Sequence, residues 1–301
     1  MRRSLLAALL MGLALATPAN AGISVFACEP EWGALATEIG SDKVSVYTAT
    51  TGAQDPHQIQ ARPSLIAKAR TADITVCDGA ELEIGWLPMI LQQSGNGKLA
   101  PGQPGAFDAT SVVRLLEQPG RLDRAEGDIH AAGNPHIQTD PRMMLPVAKA
   151  LAARFSQIDG ANAAFYAARE ADFEKRWTAA LARWTAKAAP LKGINIAVQH
   201  HAWIYMENWL GLHEVVPLEP KPGVPPSSGY LAEVLQKLQA TPAKFVIRAA
   251  YEDDRPSAFV SEHAGIPAVI LPFTVGGTDQ AKDLFGLYDD TINRLLAGLK
   301  K

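Results

Sequence analysis

The sequence predicts an α/β protein of two lobes tied together by one long helix. Three observations carry that expectation. Short apolar runs alternate with helical patterns in the N-terminal half, and the same rhythm returns after residue 190. Between the two lies a stretch of roughly 25 residues, 162–186, with neither Pro nor Gly. Alternation of this kind argues for parallel sheets covered by helices on both faces. The length of 301 residues also suits one large domain or two lobes, at ~150 residues per domain.

The first 21 residues read as a secretory signal rather than as part of the fold. Arg2 and Arg3 supply a positive start, residues 5–16 form an apolar run, and Ala19-Asn20-Ala21 gives a small-x-small cleavage site. The run is shorter than the ~20 residues a membrane-spanning helix needs. Cys28 stands seven residues beyond Ala21, too far along to read as a lipid attachment site. The expected mature chain is exported to the periplasm and soluble, and loss of the two arginines takes its net charge from −3 to −5. With 48% hydrophobic and 20% charged residues it can bury a core, which excludes a disordered chain. The acidic balance excludes a basic footprint for nucleic acid.

Taken in order, strands are expected at 23–28, 44–50 and 73–77, with helices at 31–39, 63–71 and 81–93. Residues 94–105 and 120–134 are rich in Gly, Pro and polar residues and read as loops. A helix over 141–155 follows, and Asp159-Gly160 breaks it. In the long stretch 162–186, Phe165, Tyr166, Phe173, Trp177, Leu181 and Trp184 recur mostly at helical steps, the mark of a packed face. At 1.5 Å per residue such a helix is ~37 Å long, enough to run the length of the molecule. Beyond it, strands are expected at 193–198, 215–218, 243–248 and 268–272, with helices at 202–209, 228–239, 257–264 and 280–299. The implied division is a lobe at 22–158, a linking helix at 159–190 and a lobe at 191–301.

Only two cysteines are present, too few for a Cys₄ zinc ribbon or a disulfide-dense scaffold. Cys28 and Cys77 each end a predicted strand. If those strands are neighbours, an oxidising compartment permits a disulfide between them. The alternative is two small buried thiols.

The seven histidines can be weighed singly. His57 follows Asp55-Pro56 after the 44–50 strand. His136 follows Gly133-Asn134-Pro135, and His200 ends the 193–198 strand. All three sit where an element hands over to a loop, the edge at which open α/β sheets bind ligands. Neutral imidazole is a good Zn²⁺ ligand, and three of them with one oxygen complete a tetrahedron. Pro56 and Pro135 restrict the backbone beside two of them, which lowers the entropy lost on ordering a site.

These segments resemble those of the periplasmic zinc/manganese-binding proteins of metal ABC transporters. Asp55-Pro56-His57 with Arg62-Pro63-Ser64 is similar to the family's D-P-H…P-S segment. Gly133-Asn134-Pro135-His136-Ile137 with Asp140-Pro141 is similar to its N-P-H-(I/V)-W-L-D-P segment, with Gln138-Thr139 in place of Trp-Leu. His200-His201-Ala202-Trp203-Ile204-Tyr205 resembles its H-D-A-(F/W)-x-Y segment. Residues 219–228 resemble its proline-rich stretch.

The resemblance covers the whole mature chain. It implies two Rossmann-like α/β lobes joined by one long rigid helix, with metal held in the interlobe cleft. Carried over, the ligands would be His57, His136 and His200. Histidine at 200, where manganese-binding members tend to carry Glu, favours Zn²⁺ over Mn²⁺. The region Leu271-Pro272-Phe273-Thr274 lacks the family's usual acid, so Asp279, reaching back across Gly276-Gly277, is expected as fourth ligand, with water as the alternative.

His201 takes the family's usual Asp position beside the ligand, and His130 stands on a short loop where some relatives carry a histidine-rich one. His213 and His263 are expected at the surface, and Glu252-Asp253-Asp254 as a solvated loop. The function implied is a monomeric receptor that captures Zn²⁺, not an enzyme. It would deliver the ion to a cognate ABC permease in the inner membrane, with a periplasmic metallochaperone as a further partner. Two other classes compete. A secreted zinc hydrolase would use Asp55 or Glu219 as general base, but no HExxH motif is present. A metal-independent adhesin or solute receptor would leave the three histidines unexplained.

Overall fold

The computed structural model describes residues 22–120 and 127–300, so the signal segment expected at 1–21 lies outside the described residues. The first lobe runs β1 (Ile23–Ala27), α1 (Pro30–Gly40), β2 (Val44–Thr48), α2 (Pro63–Thr71), β3 (Ile74–Cys77), α3 (Leu87–Ser94) and β4 (Ala106–Asp108). Its four strands are all parallel, in the order β2-β1-β3-β4. Proline opens α1 and α2, where its missing N–H and fixed φ carry no penalty.

Two local departures from expectation have physical causes. β4 has only three residues, too few to show a period. Helix α3 starts six residues later than expected, because Gly79, Ala80 and Glu81 turn through positive φ values of 82°, 50° and 70°. That turn folds Glu83 back onto the Asp78 and Gly79 amides.

Past a short 3₁₀ turn at Pro141–Met143, α4 (Met144–Ile158) packs along α5 (Ala163–Lys187). The second lobe runs β5 (Asn195–Val198), α6 (Ile204–Leu210), β6 (His213–Pro217), α7 (Ser228–Ala240), β7 (Phe245–Ala249), α8 (Asp254–Ala264), β8 (Ala268–Leu271) and α9 (Leu284–Gly298). Its parallel order, β6-β5-β7-β8, repeats that of the first lobe.

The long α5 is held by one face. Tyr166, Phe173, Trp177, Ala180 and Trp184 are buried at successive helical steps. Trp177 meets Trp184, Phe285 and Tyr288 at ring-centroid distances of 5.1, 4.9 and 5.4 Å. Its indole N–H donates to Pro141 O and that of Trp184 to Asp289 Oδ1, both at 2.8 Å, so neither polar edge is buried unsatisfied. The aromatics of this helix are packing, as their spacing implies. α5 also touches α1 of one lobe and α9 of the other, so a single rigid rod sets both sheets.

Cys28 and Cys77 form a disulfide, with their Cα atoms 4.8 Å apart. They stand one residue beyond the paired Ala27 and Val76 of neighbouring strands β1 and β3. Among the described residues no helix is long and apolar enough to cross a membrane.

Candidate metal centre

His57 lies on the loop after β2. Its backbone N–H and its Nδ1 both bond Asp55 Oδ1 at 2.9 Å, and Trp86 Nε1 donates to Pro56 O to fix the loop. His136 is buried at the end of the Asn134-Pro135 turn. Asn134 Oδ1 accepts its N–H, while the Thr139 N–H and hydroxyl close a 3₁₀ turn on its carbonyl. Tyr205 of the second lobe donates to Asn134 O, and Tyr288 donates to Gln138 O. The central His thus hangs from a loop tied to both lobes. His200 follows β5, and its Nδ1 bonds Glu219 Oε2 at 2.7 Å.

These elements bring the three imidazoles together. Ring centroids lie 5.2 Å apart for His57–His136, 5.6 Å for His57–His200 and 5.7 Å for His136–His200. One nitrogen of each falls within 4.8 Å of the others. Three imidazoles around one Zn²⁺, at bonds of about 2.0–2.1 Å, have centroids roughly 5 Å apart, so a small rotation of each ring closes the set.

The electrostatics suit a cation. In His57, Nδ1 faces a carboxylate and Nε2 is buried with no hydrogen-bond partner among the described residues. A carboxylate behind Nδ1 fixes the ring and makes the far nitrogen more basic, as outer partners of metal-bound histidine do. Burial first, then the charges of His57 and His200, hold the His136 pKa well below the usual imidazole range. His136 is therefore neutral and presents a lone pair. Burial pushes Asp55 upward, but its hydrogen bond to and charge attraction for His57 prevail and keep it below the usual carboxylate range. Phe273 packs edge-on against His136 at 5.4 Å and closes one wall.

The family model described as "Zinc-uptake complex component A periplasmic" (ZnuA) matches residues 25–298. The chain belongs to this family. Its members are metal-binding receptors of ABC importers, which work with a membrane permease and an ATPase. The manganese ABC transporter substrate-binding lipoprotein PsaA of Streptococcus pneumoniae is 21% identical over 268 residues, covering 87% of this chain and 84% of that protein. The zinc-binding lipoprotein AdcA of the same species is 22% identical over 248 residues, covering 78% of this chain and 46% of that longer protein. Among solved structures, one of ZnuA superposes with a TM-score of 0.74 at 20% identity, covering 91% of this chain and 99% of that one. FpvC of Pseudomonas aeruginosa in complex with Mn²⁺ gives 0.74 at 18% identity, with coverages of 93% and 98%. These likenesses agree on the two-lobed fold and divide between the two metals.

Other sequence expectations fare differently. Asp279 stands outside the histidine set, exposed on the loop before α9. Thr274, in the segment 271–274 that lacks an acid, is buried, and its hydroxyl donates to Glu31 of the first lobe. His130 lies 5.5 Å from His57 and 6.2 Å from His136, one ring further out. His201 bridges the lobes: Nδ1 bonds Glu214 and Nε2 bonds Glu117, each at 2.7 Å. Those two hydrogen bonds raise its pKa to about 10, so it is a cation at neutral pH. The reading of residues 252–254 as a solvated loop needs correction. Asp253 and Asp254 are exposed, but Glu252 is half-buried, accepts the Ala249 N–H and is pushed to about 7 by burial.

A group of acids escaped sequence reasoning. Glu29, Glu31, Asp78 and Glu83 are all buried at the carboxyl end of the first sheet. Burial, then mutual repulsion, raises Glu29 and Asp78 well above the usual range, and burial pushes Glu31 and Glu83 to about 7. Their folded values exceed the unfolded ones of roughly 4.3 for Glu and 3.9 for Asp. The folded state therefore holds extra protons. The stability this group contributes is full below about pH 4 and is lost as pH rises through 7. Glu29→Gln removes one ionisable member, so it should raise the melting temperature of the metal-free chain at pH 8 and change it little at pH 5. Thermal unfolding followed by circular dichroism at the two pH values checks this. An equal effect at both would exclude the charge explanation.

Proposed function

We propose that the chain is a Zn²⁺ receptor that holds one ion on His57, His136 and His200 in the cleft between the lobes and passes it to an ABC permease of the inner membrane. The observation that carries this reading is the convergence of three imidazoles, two from the first lobe and one from the second, on one point. Relatives named for zinc and for manganese are equally distant, so the donor set has to decide. An all-imidazole set suits zinc, whereas manganese prefers carboxylate oxygen. The fourth position falls to an oxygen donor, and Asp279 is left out of the set because of its exposure.

The same reading makes the protein a periplasmic monomer, cleaved after Ala21, with lobes at 22–158 and 191–301 about the helix 159–190. Loading by a periplasmic metallochaperone fits a buried site. Release needs the lobes to part, because closed coordination does not let go quickly. A hydrolase would need a free general base, yet Asp55 and Glu219 are each engaged with an imidazole Nδ1.

X-ray absorption at the zinc edge tests the ligand set. The expected first shell is three imidazole nitrogens and one oxygen; a shell dominated by oxygen would refute it. Asp55→Asn should weaken zinc binding about 10–100-fold while leaving one ion per chain, because the partner that orients His57 is weakened, not the ligand itself. Competition against a chelator of known affinity measures that loss.

A further inference from the structure

One carboxylate joins the metal centre to a contact between the lobes. Glu219 Oε2 accepts from two donors, His200 Nδ1 at 2.7 Å and the Gly223 backbone N–H at 2.8 Å. The turn that carries Gly223 meets the first lobe directly: Asp128 N–H donates to Pro222 O at 2.9 Å. The fit there is close, against backbone on one side and the Asp128 carboxylate on the other. A Cβ on Gly127 would lie 2.2 Å from Pro222 O, and one on Gly223 would lie 2.1 Å from Asp128 Oδ2. Both glycines also hold positive φ, 89° and 76°, which L side chains rarely adopt. A cavity of about 310 Å³ beside this strap is lined by His57, His200, Asp55, Asp128, Glu219 and Gly223. The strap is therefore one rim of the metal centre.

We infer that Glu219 is a positioning residue that couples metal capture to closure of the strap between 127–128 and 222–223, so that opening the strap is the step that releases the ion. The inference rests on the receptor reading given above. A cation on the far nitrogen of His200 makes its Nδ1–H a stronger donor, which fixes the Glu219 carboxylate. The same oxygen then holds the Gly223 N–H and keeps the turn placed against Asp128. In reverse, pulling the strap apart removes the Gly223 donor, frees Glu219 to rotate and leaves His200 without the partner that orients it. Coupling between two sites runs equally in both directions, so a strap that weakens metal when opened is also closed by metal.

The test is zinc release from the full chain into excess chromogenic chelator, measured by stopped flow. Gly223→Ala and Gly127→Ala break the strap from opposite lobes, so misfolding of one leaves the other to report. Each should still bind one ion and release it at least about tenfold faster than the unaltered chain. The Co²⁺-loaded forms should keep their tetrahedral absorption, since no ligand is changed. Glu219→Gln should also speed release. Adding Gly223→Ala to it should change the rate by less than about threefold, because both act through one link. Release at the unaltered rate from zinc-loaded glycine variants overturns the inference alone, as do rates that multiply in the double variant. An unaltered chain that takes up no zinc overturns the receptor reading, and this inference with it.

Discussion

Alanine at His57, His136 or His200 is expected to weaken zinc binding by about two to three orders of magnitude. Structural zinc sites bind with about 10–16 kcal/mol, so one donor of four is worth about 2.5–4 kcal/mol, or about 10²–10³-fold in affinity. His136→Ala should be the most damaging of the three. That ring is 1% exposed and packs edge-on against Phe273, so its loss also opens a cavity at the junction of the lobes. His57→Ala and His200→Ala should leave the apo fold intact, since both rings hang from loops rather than from strands or helices. Calorimetric titration with Zn²⁺ reads the effect. Unchanged stoichiometry and affinity in any of the three would remove that residue from the site.

Loss of the Cys28–Cys77 bond should be the largest effect on stability away from the metal. The bond closes a loop with a sequence separation of 49. Chain-entropy arguments give about 4 kcal/mol for such a loop, within the roughly 2–5 kcal/mol typical of native disulfides. The bond also ties β1 to β3 at the point where Glu29 and Asp78 carry their buried carboxyls. The paired substitution Cys28→Ala/Cys77→Ala should therefore lower the denaturation midpoint clearly at pH 7, with zinc stoichiometry retained at moderate denaturant. An unfolding free energy within about 0.5 kcal/mol of the unaltered chain would show that the bond adds nothing to the sheet.

The fold was legible because its signals are periodic. Strands of four to five residues bounded by turns, and a face of aromatics along α5, are repeated patterns that chance does not sustain. The three clustered histidines stood out for a related reason: each stands at the handover from an element to a loop, two of them behind proline. What stayed hidden depends on packing across the chain. Glu29 and Glu31 flank Pro30 at the start of a helix, yet both are buried: Glu31 beneath Thr274 of the opposite lobe and Glu29 against the Asp78 N–H. In the sequence Glu219 reads only as the candidate base of a competing hydrolase, and the fold instead places it behind His200. The family resemblance points to Asp279 as a fourth ligand, but the fold leaves it exposed and outside the histidine cluster. The three-residue β4 has no period to read and exists because β3 offers it an edge.

The centre of His57, His136 and His200 should select zinc, because all three donors are imidazoles. A competition titration, Zn²⁺ against Mn²⁺ on the metal-free chain at pH 7.5, tests it most directly. One site per chain is expected, with a preference for Zn²⁺ of at least about 10³-fold, in keeping with the softness of the donors and the usual metal order. Equal affinities, or tighter binding of Mn²⁺, would contradict it.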